Sequence, residues 1–201
     1  MKGIETEVKI ALLPSEVRRI RPFMTGLCNE PKRIIEVTAL YDDKNLTFLK
    51  EGKTLRIRVI CSPIPSNTGL KFQSASLDYK GPSFGEKINR RVEMSEPIAN
   101  FLQIFDVSRS IRARGLDCIY FYTKKKEEWS LLETKISIDN LFILGNFLEV
   151  EGDEGRIETV LSLFNFSTKE RILKTTYQLY GRFFEIYGGV PPWLVPSIKF
   201  V

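Results

Sequence analysis

The sequence predicts an α+β chain with enough strands to close a barrel and helices to cover its outside. Three observations carry this. Eight segments alternate polar and apolar residues with period two and are rich in β-branched or aromatic side chains. Four others repeat apolar residues at helical spacing. Eight strands suffice for closure.

The predicted strands lie near 3–12, 34–42, 54–61, 75–81, 88–95, 118–126, 129–138 and 146–152. Val17, Ile20 and Met24 mark the apolar face of a first helix. Ile98, Phe101, Leu102 and Phe105 mark a second, with Pro97 suited to its first turn. Ile157, Val160, Leu161 and Phe164 mark a third. A last helix is expected over about 168–187: Ser167 and Glu170 have capping-box spacing, Ile172, Leu179, Phe183 and Ile186 form its face, and Gly188-Gly189 ends it. The Pro-rich tail, 188–201, is expected to be extended. Composition makes a loop of 62–69 and a loop or wide hairpin of 81–89.

At 201 residues, 43% of them hydrophobic, the chain suits one domain, 1–201. The net charge of +5 favours anionic partners without choosing among phosphates, nucleic acid and membrane surfaces. The opening MKGIETEVKIALL resembles neither a signal peptide nor a membrane span, so a cytoplasmic protein without membrane association is expected. Cys28, Cys61 and Cys118 show no disulfide or zinc-site spacing and are expected to be half-buried thiols. Histidine is absent, which removes the commonest general base and transition-metal ligand. Any metal must then be held by oxygen, as magnesium, manganese or calcium are.

The chemistry lies in the alternation. Glu5, Glu7 and Lys9 share one strand face, Arg56 and Arg58 another, Arg91 and Glu93 a third, Lys124 and Lys126 a fourth, and Glu149 and Glu151 a fifth. For any single strand the plainer reading is a charged, solvated outer face. If the sheet closes with its apolar side outward against helices, these charges point inward, where ions or ligands must offset them. Glu5, Glu7, Glu149 and Glu151 then suit hard cations, and Lys9, Arg56, Arg58, Lys80, Arg91, Lys124 and Lys126 suit a polyanion. Gly52-Lys53-Thr54 ends like a phosphate-binding P-loop, but the required first glycine falls on Thr47, in a strand-rich context.

These residues also resemble a family signature. Glu5-x-Glu7-x-Lys9 resembles that of the CYTH superfamily, the triphosphate tunnel metalloenzymes. LYDDKNLTFLKEGKTLRIR (40–58), LDYKGP (77–82), RRVEM (90–94), ISIDNLFILGNFLEVEG (136–152) and TTYQL (175–179) resemble its further segments, in order. Departures are Lys126 where many relatives carry arginine, Leu40 for tyrosine and Thr38 for an acidic residue.

The resemblance implies an eight-stranded antiparallel tunnel in which the basic set grips a triphosphate and the four glutamates hold one or two Mg2+ or Mn2+ ions. Glu93 and Asp139 are then supporting tunnel residues, or structural salt-bridge partners. Lys9 either contacts the scissile phosphate or orients water, or else neutralises Glu5 and Glu7; the phosphate role is preferred. Hydrolysis of tripolyphosphate, with nucleoside or thiamine triphosphates as further substrates, is the leading expectation. The alternatives are a class IV type adenylate cyclase, for which no base-binding signature is visible, and a non-catalytic polyphosphate- or RNA-binding module, against which the acidic pairs and the lack of an RNP-like motif argue. Specific nucleic-acid recognition is not expected. The aromatic-rich last helix either supports a homodimer or covers the barrel.

Overall fold

The computed structural model describes residues 2–64 and 69–186. Eight antiparallel strands close into a barrel in the spatial order β1-β5-β4-β3-β2-β6-β7-β8. They are β1 (Lys2–Leu12), β2 (Lys32–Asp42), β3 (Thr54–Pro63), β4 (Leu70–Lys80), β5 (Asn89–Ile98), β6 (Asp117–Leu131), β7 (Thr134–Leu141) and β8 (Gly145–Glu151). β1 closes the ring by pairing with β5 through residues 2–7 and with β8 through residues 7–12.

The apolar parity of each strand faces outward. Val8, Ile10, Ile136, Ile138, Leu148 and Val150 pack against Val17, Ile20 and Met24 of α1 (Pro14–Cys28) and against Ile157, Val160 and Leu161 of α4 (Glu154–Leu163). The predicted first and third helices therefore form on their predicted faces. A second outer cluster joins Ala39, Tyr41, Ile57 and Ala75 to Ile104, Val107 and Ile111 of α3 (Gln103–Arg112). With their apolar side covered, the strands turn their charged parity into the barrel.

Several boundaries differ from expectation. β5 runs through Ile98, so the second helix begins later, at Gln103, and Phe101 and Leu102 are exposed. Pro97 lies in that strand opposite Ser76, where β5 no longer pairs with β1 and a missing N–H costs no ladder bond. β6 spans 15 residues and runs through 127–128, where two separate strands are predicted to part, and it turns into β7 at Leu132 and Glu133, both at positive φ. Neither residue is a usual hairpin-turn residue, so no turn signal marked this boundary. β4 begins at Leu70, earlier than predicted.

The last helix, α5, is Thr176–Ile186, not 168–187. Ser167 and Glu170 cap nothing; the working box is eight residues on, where Gln178 N–H donates to Thr175 Oγ1 (3.0 Å) and Thr175 N–H to Gln178 Oε1 (3.0 Å). The preceding segment runs beside β1, with Ile172 N–H on the Lys9 carbonyl at 2.8 Å. A short helix, α2 (Thr47–Lys50), packs on α5 at Gly181, where a Cβ would come within 3.1 Å of Leu49. Buried Asp42 joins the two, accepting from Phe48 and Leu49 N–H (3.0 Å each) and from Tyr177 OH (3.1 Å). The predicted tail over 188–201 and part of the 62–69 loop lie outside the described residues.

Cys28, Cys61 and Cys118 are free and half-buried. No helix among the described residues is long and apolar enough to cross a membrane.

Candidate active site in the barrel lumen

Strand parity brings the expected charges to one place. Glu5, Glu7, Lys9, Arg56, Arg58, Lys80, Arg91, Lys124, Lys126, Glu149 and Glu151 all line a single lumen cavity. Glu93 and Asp139 stand behind that wall, Glu93 3.5 Å from Lys80 and Asp139 2.8 Å from Lys124. The free volume is about 60 Å³, because long side chains of opposite sign lean on each other. Roomier cavities open outside the barrel beside α1 and beneath α3, of about 430 and 210 Å³, but neither gathers a comparable set of opposed charges.

The ion pairs form three groups. On β1, β4 and β5, Lys80 Nζ lies 2.6 Å from Glu5, Arg91 Nε lies 3.3 Å from Glu5, and Arg91 Nη2 donates to Glu7. Around β8, Glu149 meets Lys9 (3.0 Å), Lys124 (3.6 Å) and Lys126 (3.8 Å). On β3 and β4, buried Asp78 takes Arg56 (3.1 Å) and Arg58 (2.9 Å). Glu151 is half-exposed at the rim, 3.5 Å from Lys135.

Protonation follows from burial against these charges. Burial pushes the Glu7 carboxyl up, but Lys80, Lys9 and Arg91 outweigh it and hold it down to about 2. Glu149 is likewise held well below the ordinary range by Lys124, Lys9 and Lys126 against the penalty of burial. Burial opposes the charge on Lys9, yet Glu149 and Glu7 raise its pKa above the usual lysine value. Asp139 behaves oppositely: burial and the neighbouring Glu149 charge push it up to about 6 despite Lys124. Glu7, Glu149 and Lys9 are thus held in their charged forms despite burial, while the Asp139 carboxyl is predisposed to keep a proton.

Sequence reading missed several lumen residues. Glu36 is buried on β2 within 3.7 Å of Arg56 and 3.8 Å of Lys124, and those cations with Arg58 hold its carboxyl far below normal against desolvation. Its parity with Thr38 was the available signal. Asp78 shares the parity of Lys80, and Lys135 lines the rim. Thr175, Thr176 and Tyr177 also reach the cavity from the start of α5, with Lys9 Nζ 3.5 Å from Thr176 Oγ1. Beyond them, Tyr177 and Tyr180 close one end of the barrel against inward-facing Leu40, Tyr120, Tyr122, Leu141 and Phe147.

A divalent metal fits the donor chemistry, which is all carboxylate oxygen. Among the described residues no three acidic or thiol groups already converge as a metal centre, since each lumen glutamate faces lysine or arginine. A metal held here would therefore share carboxylates with these cations. Buried Asp139 offers spare capacity: neither of its oxygens makes a regular hydrogen bond, although Lys124 lies close.

Known structures share this architecture. The PH1819 protein of Pyrococcus horikoshii OT3 superposes with a TM-score of 0.69 at 20% identity, over 89% of this chain and 98% of its own. A putative adenylate cyclase from Vibrio parahaemolyticus gives 0.65 at 18%, over 89% and 98%. A putative adenylyl cyclase from Hippeastrum, described as having a dominant triphosphatase activity, gives 0.66 at 14%, over 95% and 99%. No curated protein sequence matches. The model of the CYTH domain matches residues 3–177, a span containing every lumen residue named above except Tyr180, and the chain belongs to the CYTH domain family.

Proposed function

We propose that this protein is a divalent-metal-dependent triphosphatase that hydrolyses inorganic tripolyphosphate to pyrophosphate and phosphate in the barrel lumen. The supporting observation is charge balance. Eight cationic side chains and five carboxylates line the cavity, an excess of three positive charges. One divalent cation brings this to five, and a linear triphosphate carries about four to five negative charges near neutral pH.

Arg56, Arg58 and Arg91 offer forked donors to phosphate oxygens, while Lys9, Lys80, Lys124 and Lys126 act as point charges. Glu5, Glu7, Glu149 and Glu151 would hold Mg2+ or Mn2+, which when bound supplies neutralisation and polarisation of phosphoryl oxygens. Lys9 sits between Glu149 and Thr176 beside the plugged end, and on this reading it contacts the phosphate under attack. Water attacks the terminal phosphorus, the bridging P–O bond breaks, and pyrophosphate leaves. Positioning and charge supply most of what this needs, so a lumen without histidine is adequate.

The decisive assay offers tripolyphosphate, ATP and pyrophosphate to purified protein with Mg2+, Mn2+ or chelator. Metal-dependent release of one phosphate from tripolyphosphate is the expected result. Cyclic AMP with pyrophosphate from ATP would replace this reading with a cyclase, the activity in the name of the putative adenylate cyclase from Vibrio parahaemolyticus. Binding without any product would replace it with a polyphosphate-binding module.

A further inference from the structure

Asn89 opens β5 directly opposite Glu7, and Glu7 on its other side is directly opposite Glu151. Directly opposite residues of an antiparallel pair project to the same face with Cβ atoms about 4.5–5.5 Å apart. The lumen wall therefore carries an amide and two carboxylates in one cross-strand row. Asn89 is 0% exposed, and both Nδ2 and Oδ1 lack a hydrogen-bond partner among the described residues. A fully buried amide with neither end satisfied is costly and rare. Asparagine at the first residue of a strand ordinarily bonds nearby backbone, and this one does not.

We propose that Asn89 Oδ1 ligates a divalent cation together with the carboxylates of Glu7 and Glu151. This rests on the metal-dependent reading of the lumen and adds to it an uncharged ligand that the acidic signature does not contain. The chemistry suits the place. Magnesium and manganese accept amide oxygens, and a neutral donor completes the row without a third negative charge beside Glu7 and Glu151. Arg91 Nη2 already donates to Oε1 of Glu7, so the carboxylate would be shared between guanidinium and cation. The other reading of the orphaned amide is that it holds a buried water.

The test is Mn2+ binding to the chelator-stripped full chain, followed by electron paramagnetic resonance of free Mn2+, beside the tripolyphosphate assay. Asn89→Leu, close in volume but without a ligand, is expected to weaken Mn2+ binding about tenfold or more. Asn89→Asp keeps an oxygen and adds charge, and is expected to bind at least as tightly as wild type. Glu7→Gln is expected to lose the same binding, and adding Asn89→Leu to it should change nothing further. If Asn89→Leu binds within about twofold of wild type, the amide holds water and the proposal fails. Should Asn89→Leu misfold by circular dichroism, Asn89→Asp decides, and weaker binding there overturns the assignment. Wild-type protein that hydrolyses tripolyphosphate but binds no Mn2+ alone sinks the Asn89 role only; protein that does neither sinks the functional reading with it.

Discussion

The two ends of the barrel interior are built by the same strands, with the same parity, to opposite purposes. At one end Leu40, Tyr120, Tyr122, Leu141 and Phe147 face inward and meet Tyr177 and Tyr180, with the Tyr180 ring 4.9 Å from Tyr120 and 5.4 Å from Tyr122. Two residues further along, Tyr122 gives way to Lys124 and Phe147 to Glu149, and the interior becomes an ion cluster. Parity decides only that a side chain points inward; its chemistry then decides whether that level of the barrel is core or site. The contact between levels matters, because an aromatic floor lowers the local dielectric and makes the adjacent ion pairs stronger when complete and costlier when broken.

The largest effect expected from breaking this contrast is at Glu149, where three lysines converge. Glu149→Gln should lower tripolyphosphate turnover about a thousandfold while leaving polyanion binding intact, because on the proposed reading it removes a metal donor and not a phosphate grip. Phosphate release paired with a binding titration separates the two, and unchanged turnover would reduce the cluster to structural ion pairing. On the plug side Tyr180→Ala should cost about 3 kcal/mol in urea unfolding, through lost ring packing and the hydrogen bond from its hydroxyl to the Phe142 carbonyl. A cost below about 1 kcal/mol would show that α5 does not hold the barrel end.

A smaller effect sharpens the charged level alone. The Asp139 carboxyl sits at about 6 in the folded protein against an ordinary 3.8, so the folded state binds a proton more tightly than the unfolded chain. The stability this gives is full below 3.8 and is lost as pH rises through about 6. With no histidine in the chain, few other groups titrate there. The thermal midpoint of the metal-free protein is expected to fall between about pH 5 and 7, and Asp139→Asn to flatten that slope. A flat wild-type profile would place the proton elsewhere.

The charged level was more legible in the sequence than the plug. Pairs such as Glu5 and Glu7, Arg56 and Arg58, or Glu149 and Glu151 declare themselves by alternation within one strand, and ordered resemblance to a family supplied the direction in which they point. Polar residues outside such like-charged pairs gave a weaker signal: Glu36 shares its parity with Thr38 and Leu40, Asp78 with Lys80, and Asn89 with Arg91. The plug was illegible because it is non-local. Tyr177 and Tyr180 look like an amphipathic helix face, and only closure of the barrel reveals inward-facing aromatics for them to cover. The same holds for where α5 begins, since nothing local shows that Ile172 is held on β1.

That starting point yields the smallest test, and one that links the two levels. Thr175 accepts from Gln178 N–H and its own N–H is taken by the Gln178 side chain, while the next residue, Thr176, lies 3.5 Å from Lys9. Thr175→Ala removes one half of the capping box and should cost about 1 kcal/mol in unfolding. If the cap only starts a helix, stability falls and turnover at saturating substrate does not. If it also fixes Thr176 against Lys9, turnover should fall as well, and Thr175→Ser, which keeps the hydroxyl, should restore both. The double variant with Thr176→Val then distinguishes the routes: once the hydroxyl beside Lys9 is gone, losing the cap should lower stability further but turnover no more.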